Sequence, residues 1–173
     1  PGDWVFDPFA GYGTVAIEAT LTGRNAILWD LNPITKVLTY ASIYRGQALL
    51  RDFEVDWDYS KAFKPRWDNI TYWHPREFLD ALSRAWGYWH GEVFGRAKTP
   101  EELSKAFLMA IPLLKVTRYF SYADEEIAKT YKSRYAEEKV RKLLSTDWKS
   151  RMREAYWEYA RKVVDKVNEY QRF

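Results

Sequence analysis

The feature that most constrains this chain is a pair of glycines set between a short extended run and an apolar helix. Asp3-Trp4-Val5-Phe6 is β-branched and aromatic and ends at Asp7-Pro8. Gly11-Tyr12-Gly13 breaks it, and Thr14 opens a helix that carries Val15, Ile17, Ala19 and Leu21, with Gly23 in the C-terminal cap position. The alternation then repeats. Asn25-Ala26-Ile27-Leu28-Trp29 reads as a second strand, and Asp30-Leu31-Asn32-Pro33 turns the chain. Asn32 can cap and Pro33 suits a first helical position, which predicts a helix to about Leu49. Strand–helix–strand–helix requires parallel pairing, so this segment is expected to be an α/β lobe.

Beyond residues 60–72 the character changes. The apolar spacing predicts helices over Pro75 to Gly91, from Pro100 onward, after Asp124, and from about Thr146 to the end. Pro112 should kink or end the second of these, and Asp124 should cap the third. In the last helix Trp148, Met152, Tyr156, Tyr159, Val163, Val167 and Tyr170 share one face. The expected organisation is an α/β lobe over 1–65 and a mainly α-helical region over 66–173. Charge follows the same division: residues 115–153 hold 11 basic and 6 acidic side chains. Cysteine is absent, which excludes disulfides, thiolate catalysis and cysteine zinc sites, and His74 and His90 are too few for a histidine metal centre. No run approaches the ~18 apolar residues of a membrane helix. With no targeting pattern, the expectation is a cytoplasmic protein that uses neither metal nor membrane. The first residues, Pro1-Gly2-Asp3, read as the tail of a turn, so the chain is expected to be a piece of a longer protein.

The chemistry resides in the glycine turn. Gly11-x-Gly13-x-x-Ala16 fits the nucleotide-binding fingerprint of a Rossmann-like βαβ unit, and Asp30 follows Gly13 by 17 residues, near the spacing at which an acid binds ribose hydroxyls. Asp7 separates two possible ligands. A dinucleotide would bring pyrophosphate to the helix N-terminus, where a carboxylate four residues before Gly11 repels it. S-adenosylmethionine has no phosphate and carries a cationic amino group and a sulfonium, so Asp7 favours it. The other reading of these residues is a simple turn, with Asp7 only leading into the helix.

Asp7-Pro8-Phe9-Ala10-Gly11-Tyr12-Gly13-Thr14, with Ala16, Glu18-Ala19, Gly23-Arg24-Asn25-Ala26 and Asp30-Leu31-Asn32-Pro33, resembles the first motif of S-adenosylmethionine-dependent DNA amino-methyltransferases. These enzymes methylate N4 of cytosine or N6 of adenine, many in restriction–modification systems. The likeness is close over residues 3 to about 45 and looser at Tyr72-Trp73-His74-Pro75 and Phe120-Ser121-Tyr122, in the style of members with a helical insertion. It implies that Asp7, with Phe9, Ala10, Gly11, Gly13 and Thr14, surrounds the methionine part of the cofactor. It further implies that Asp30 binds the ribose and that Leu31 and Asn32 flank the adenine. Tyr12 departs from the small residue many relatives carry there.

The resemblance also implies a second motif, an Asp/Asn/Ser-Pro-Pro-aromatic box that holds the target amino group of a flipped base. The seven prolines, at 1, 8, 33, 65, 75, 100 and 112, are all isolated, so no catalytic residue is assigned in this chain. The box is expected downstream or on a second subunit. DNA is the expected partner, contacted through the basic, aromatic stretch, with Lys115, Arg118, Lys129, Lys132 and Arg134 as candidates. A solvated helical face explains the same pattern. Two rivals stay open: an RNA guanine-N2 methyltransferase fragment, and a non-catalytic nucleic-acid-binding subunit with a methyltransferase-like fold.

Overall fold

The structure, a computed structural model, describes residues 1–125, 127 and 129–170. Strand β1 (Trp4–Asp7), helix α1 (Thr14–Leu21), strand β2 (Asn25–Leu28) and helix α2 (Ile34–Ser42) follow the expected order. The strands pair in parallel, from Trp4 opposite Asn25 to Asp7 opposite Leu28. This is α/β architecture compatible with part of a Rossmann-like fold. A short 3-10 turn (Leu50–Phe53) precedes the helical region: α3 (Ile70–Trp73), α4 (Arg76–Tyr88), a π-helical continuation (Trp89–Phe94), α5 (Pro100–Tyr119), α6 (Arg134–Leu144) and α7 (Trp148–Tyr170).

Two expectations are corrected and a third, the effect of Pro112, is narrowed. Helix α2 stops at Ser42 rather than near Leu49. Beyond it the backbone is captured from a distance: Asn168 on α7 accepts the Ala48 N–H (3.2 Å) and donates to the Ala48 carbonyl (3.0 Å), bonds that a helix would have used internally. Helix α5 runs through Pro112 without ending there. Pro112 is fully buried on a helix packed between α2 and α7, and burial outweighs the one backbone bond that proline removes. Asp124 accepts the N–H of Ile127 (3.3 Å), but among the described residues the next helix opens only at Arg134, where Ser133 accepts the Ala136 N–H (3.2 Å).

The core lies in the helical region. Phe78 sits edge-on to both Phe120 and Trp148, each at 5.2 Å, and all but vanishes from solvent with Leu82, Leu113, Val116 and Tyr156. Deleting a ring as buried as Phe78 costs about 3–5 kcal/mol. Tyr44, Phe53 and Trp57 also enter this core, which ties the segment after α2 to α4, α5 and α7. Helix α5 starts at a full capping box, in which Thr99 accepts the Glu102 N–H (3.1 Å) and Glu102 accepts that of Thr99 (3.0 Å). The sheet is different. Trp4, Phe6, Ile27 and Trp29 are all exposed on it, with Phe6 edge-on to Trp29 at 5.4 Å. Among the described residues no helix is long and apolar enough to cross a membrane, and no cluster of side chains could hold a metal ion.

Candidate functional site

Both strands deliver their C-terminal ends, Asp7 and Leu28, to the same edge of the sheet, and the glycine loop and the Asp30 turn leave from there. The two connections are stitched together. Trp29 donates to the Asp7 carbonyl (2.8 Å) and Ala10 donates back to the Trp29 carbonyl (2.9 Å). In parallel α/β sheets this edge is where ligands bind.

Asp30 organises the site. Its Oδ2 accepts the N–H of Gly11 (2.8 Å) and its Oδ1 that of Asn32 (2.7 Å), so one side chain sets the glycine loop and its own turn. The Asn32 and Gly11 amides hold its carboxyl below the usual carboxylate range. An ionised carboxylate offers about four acceptor positions. Two are used here, and one on each oxygen stays open for an outside donor, the pattern that a vicinal pair of hydroxyls requires. Asn32 in turn accepts the Ile34 N–H (3.1 Å) and starts α2.

Gly11 and Gly13 both adopt positive φ, at 52° and 80°. Gly13 is doubly constrained, because a side-chain carbon built on it would meet Thr39 of α2, with the Thr39 Cβ at 3.1 Å. The Thr39 hydroxyl, under Gly13, is buried and has no hydrogen-bond partner among the described residues. Sequence reasoning missed this residue. Its signal was Thr35 and Thr39, both buried, one helical turn apart on α2.

Asp7 accepts the N–H of Phe9 through Oδ1 (3.0 Å). Ala10 is buried beneath the loop, whereas Phe9, Tyr12 and Leu31 stand out into solvent. Thr14 is the first residue of α1, and the Gly13 carbonyl receives the Ile17 N–H (3.2 Å). The structure therefore gathers Asp7, Phe9, Ala10, Gly11, Gly13, Thr14, Asp30, Leu31 and Asn32 around one sheet edge. This edge presents two carboxylates, Asp7 and Asp30, beside the exposed apolar side chains of Phe9, Tyr12 and Leu31.

The five basic candidates are scattered by comparison. Arg118 donates to the Asp124 carbonyl (2.7 and 3.2 Å) and Lys129 pairs with the Asp124 carboxylate (2.8 Å). Lys132 lies over the rings of Tyr72 and Tyr122, at 4.5 and 3.9 Å, and Arg134 pairs with Glu138 one turn on (3.3 Å). Lys115 is elsewhere, on a groove of about 910 Å³ between α1, α2, α5 and α7 that Arg45, Lys162 and Lys166 also line.

A family model described as DNA methylase matches residues 1–38, the span from β1 into α2. No curated protein and no solved structure matches the chain.

Proposed function

We propose that this chain supplies the cofactor-binding part of an S-adenosylmethionine-dependent DNA methyltransferase acting on an exocyclic amino group of cytosine or adenine. The observation that carries the reading is the Asp30 carboxylate, which braces the Gly11 loop while keeping an acceptor open on each oxygen. The match of residues 1–38 to DNA methylases supports it.

The residues present fit S-adenosylmethionine. Asp30 would receive the two ribose hydroxyls. Asp7 accepts the Phe9 N–H through one oxygen and offers the other to the amino group of the methionine part. The positive-φ glycines remove side chains where the ligand must approach the backbone. Leu31, fully exposed beside Asp30, offers an apolar surface to the adenine, and Asn32 lies next to it. When bound, the cofactor supplies a methyl group made electrophilic by the sulfonium. This chain's part is to hold that group in a fixed orientation, so that its contribution is positioning and charge complementarity.

The proline-paired box that would hold the target amino group is proposed to lie on a further segment or a second subunit. The exposed sheet face supports such a partner. Parallel sheets are ordinarily covered on both faces, and two strands alone are marginal in water. Trp4, Phe6, Ile27 and Trp29 form the apolar surface a third strand and its helix would cover. DNA is proposed as the partner of the basic residues between 115 and 153, although in space they do not form one face.

Calorimetric titration of the purified chain with S-adenosylmethionine tests the reading, repeated on Asp7→Ala and Asp30→Ala. Saturable binding lost in both variants is the expected result. A folded chain that takes up no S-adenosylmethionine, alone or with its partner segment, refutes it.

A further inference from the structure

A second cavity, of about 360 Å³, lies in the helical region between α3, α4, α5 and the loop that precedes α3. Its size is within the roughly 300–1,000 Å³ of small-molecule sites. Phe63 and Trp67 of the loop and His90 stand exposed around it, and Trp86, Trp89 and His74 line its remaining walls. The loop is fixed in place. Phe63 donates its N–H to the Ser83 carbonyl of α4 (2.7 Å), and the backbone at Lys61 passes directly over Gly87.

The rings are held with their polar edges already occupied. Trp86 donates to Thr117 Oγ1 (2.9 Å) and Trp89 to the Ala106 carbonyl (2.7 Å). The two indoles meet edge to face at 5.5 Å, forming an aromatic corner. The π-helical turn from Trp89 to Phe94 sets Trp89 and His90 one after the other, closed by the bond from Gly95 to the His90 carbonyl (2.9 Å).

His74 is the exception. More than nine-tenths of it is buried, and its Nδ1 lies 3.4 Å from the Phe120 carbonyl. A carbonyl only accepts, so Nδ1 carries the proton and Nε2 is a bare acceptor with no partner among the described residues. Burial keeps the ring neutral, since it pushes His74 below the ordinary histidine range. An aromatic-walled cavity with one unused acceptor on its lining has a defined complement.

We propose that this cavity binds a planar heteroaromatic ring bearing an amino or N–H donor, stacked against Trp86 and hydrogen-bonded to Nε2 of His74. The ring could arrive as a free nucleoside-like molecule or as an unpaired base of a nucleic acid; the chemistry is shared. This site is separate from the glycine loop and does not rest on the cofactor reading.

The test uses 2-aminopurine riboside, whose fluorescence is quenched on stacking, with the parent chain and with Asp30→Ala, which disables the β1–β2 edge and should leave quenching in the cavity unchanged. Saturable quenching is expected. His74→Phe keeps a ring but removes the acceptor, and should weaken binding about tenfold. Ser83→Trp fills the cavity from a half-buried position and should abolish it. Circular dichroism identical to the parent's certifies both variants. A single-stranded oligonucleotide with one 2-aminopurine assigns the source: tighter binding than the nucleoside, lost in Ser83→Trp, means a nucleic-acid base, and equal binding means a free molecule. No saturation up to about 1 mM, or quenching unchanged in both variants, overturns the proposal.

Discussion

Gly87 stands in the middle of α4, and the two things known about such a glycine predict opposite signs for Gly87→Ala. Helix propensity alone favours alanine by about 1 kcal/mol. The tertiary structure opposes it. A side-chain carbon on Gly87 would strike the Lys61 carbonyl oxygen, with the Lys61 carbonyl carbon and the Phe63 nitrogen each only 3.0 Å away. These are backbone atoms and cannot swing aside as a side chain would. Overpacking of this kind costs about 1–3 kcal/mol. Displacing the loop also strains the bond from Phe63 to Ser83, worth about 0.5–1.5 kcal/mol. The net is a loss of about 1–3 kcal/mol, which for a chain of this size lowers Tm by roughly 3–10 °C. Thermal and urea melts of parent and variant decide the matter. An alanine variant as stable as the parent, or more so, refutes the claim that the 61–63 loop is held against α4.

Other consequences can be checked with the same preparations. Tyr156→Phe removes the hydroxyl that donates to the buried Phe53 carbonyl (2.7 Å), and should cost about 1–3 kcal/mol in a denaturant melt. Asn168→Ala breaks both bonds to Ala48 and should cost a similar amount, about 1–3 kcal/mol, while amide exchange quickens at Ala48. Asp30→Ala should speed amide exchange at Gly11 and Asn32 and leave the helical core unchanged, which heteronuclear NMR reads residue by residue. His74 has a folded pKa below its unfolded value of about 6.5, so the folded state binds fewer protons. Its stabilising contribution is therefore complete above about pH 6.5 and is lost as pH falls through the folded pKa. Melts from pH 7.5 down to pH 5 should show that slope in the parent and a shallower one in His74→Phe; equal slopes would contradict it.

The residues that sequence reasoning assigned to a cofactor all lie in two turns, and the backbone shape of those turns was legible because it is local. Positive φ at Gly11 and Gly13, the Asn32 cap before α2 and the alternation of strands with helices depend on neighbours within a few positions. Periodicity and turn chemistry report on such neighbours directly. The start of α5 at Pro100 and the long apolar face of α7 are of the same kind.

What only the tertiary structure decided involves partners far apart in sequence. The end of α2 depends on Asn168, 120 residues beyond Ala48. The persistence of α5 through Pro112 depends on α2 and α7 lying on either side. The basic stretch reads as one field in the sequence. In space it divides, with Arg118 and Lys129 engaged by Asp124, Lys132 set over two tyrosines and Lys115 turned to another groove. His74 shows the difference most plainly. In the sequence it is only one residue of Tyr72-Trp73-His74-Pro75, a stretch of loose family likeness. Only the fold brings its Nδ1 to the carbonyl of Phe120, 46 residues on, and sets the residue in the wall of an aromatic cavity. Local sequence determines which backbone shapes are cheap; which side chains meet, and which polar atoms are left over, is settled by the burial of the whole core.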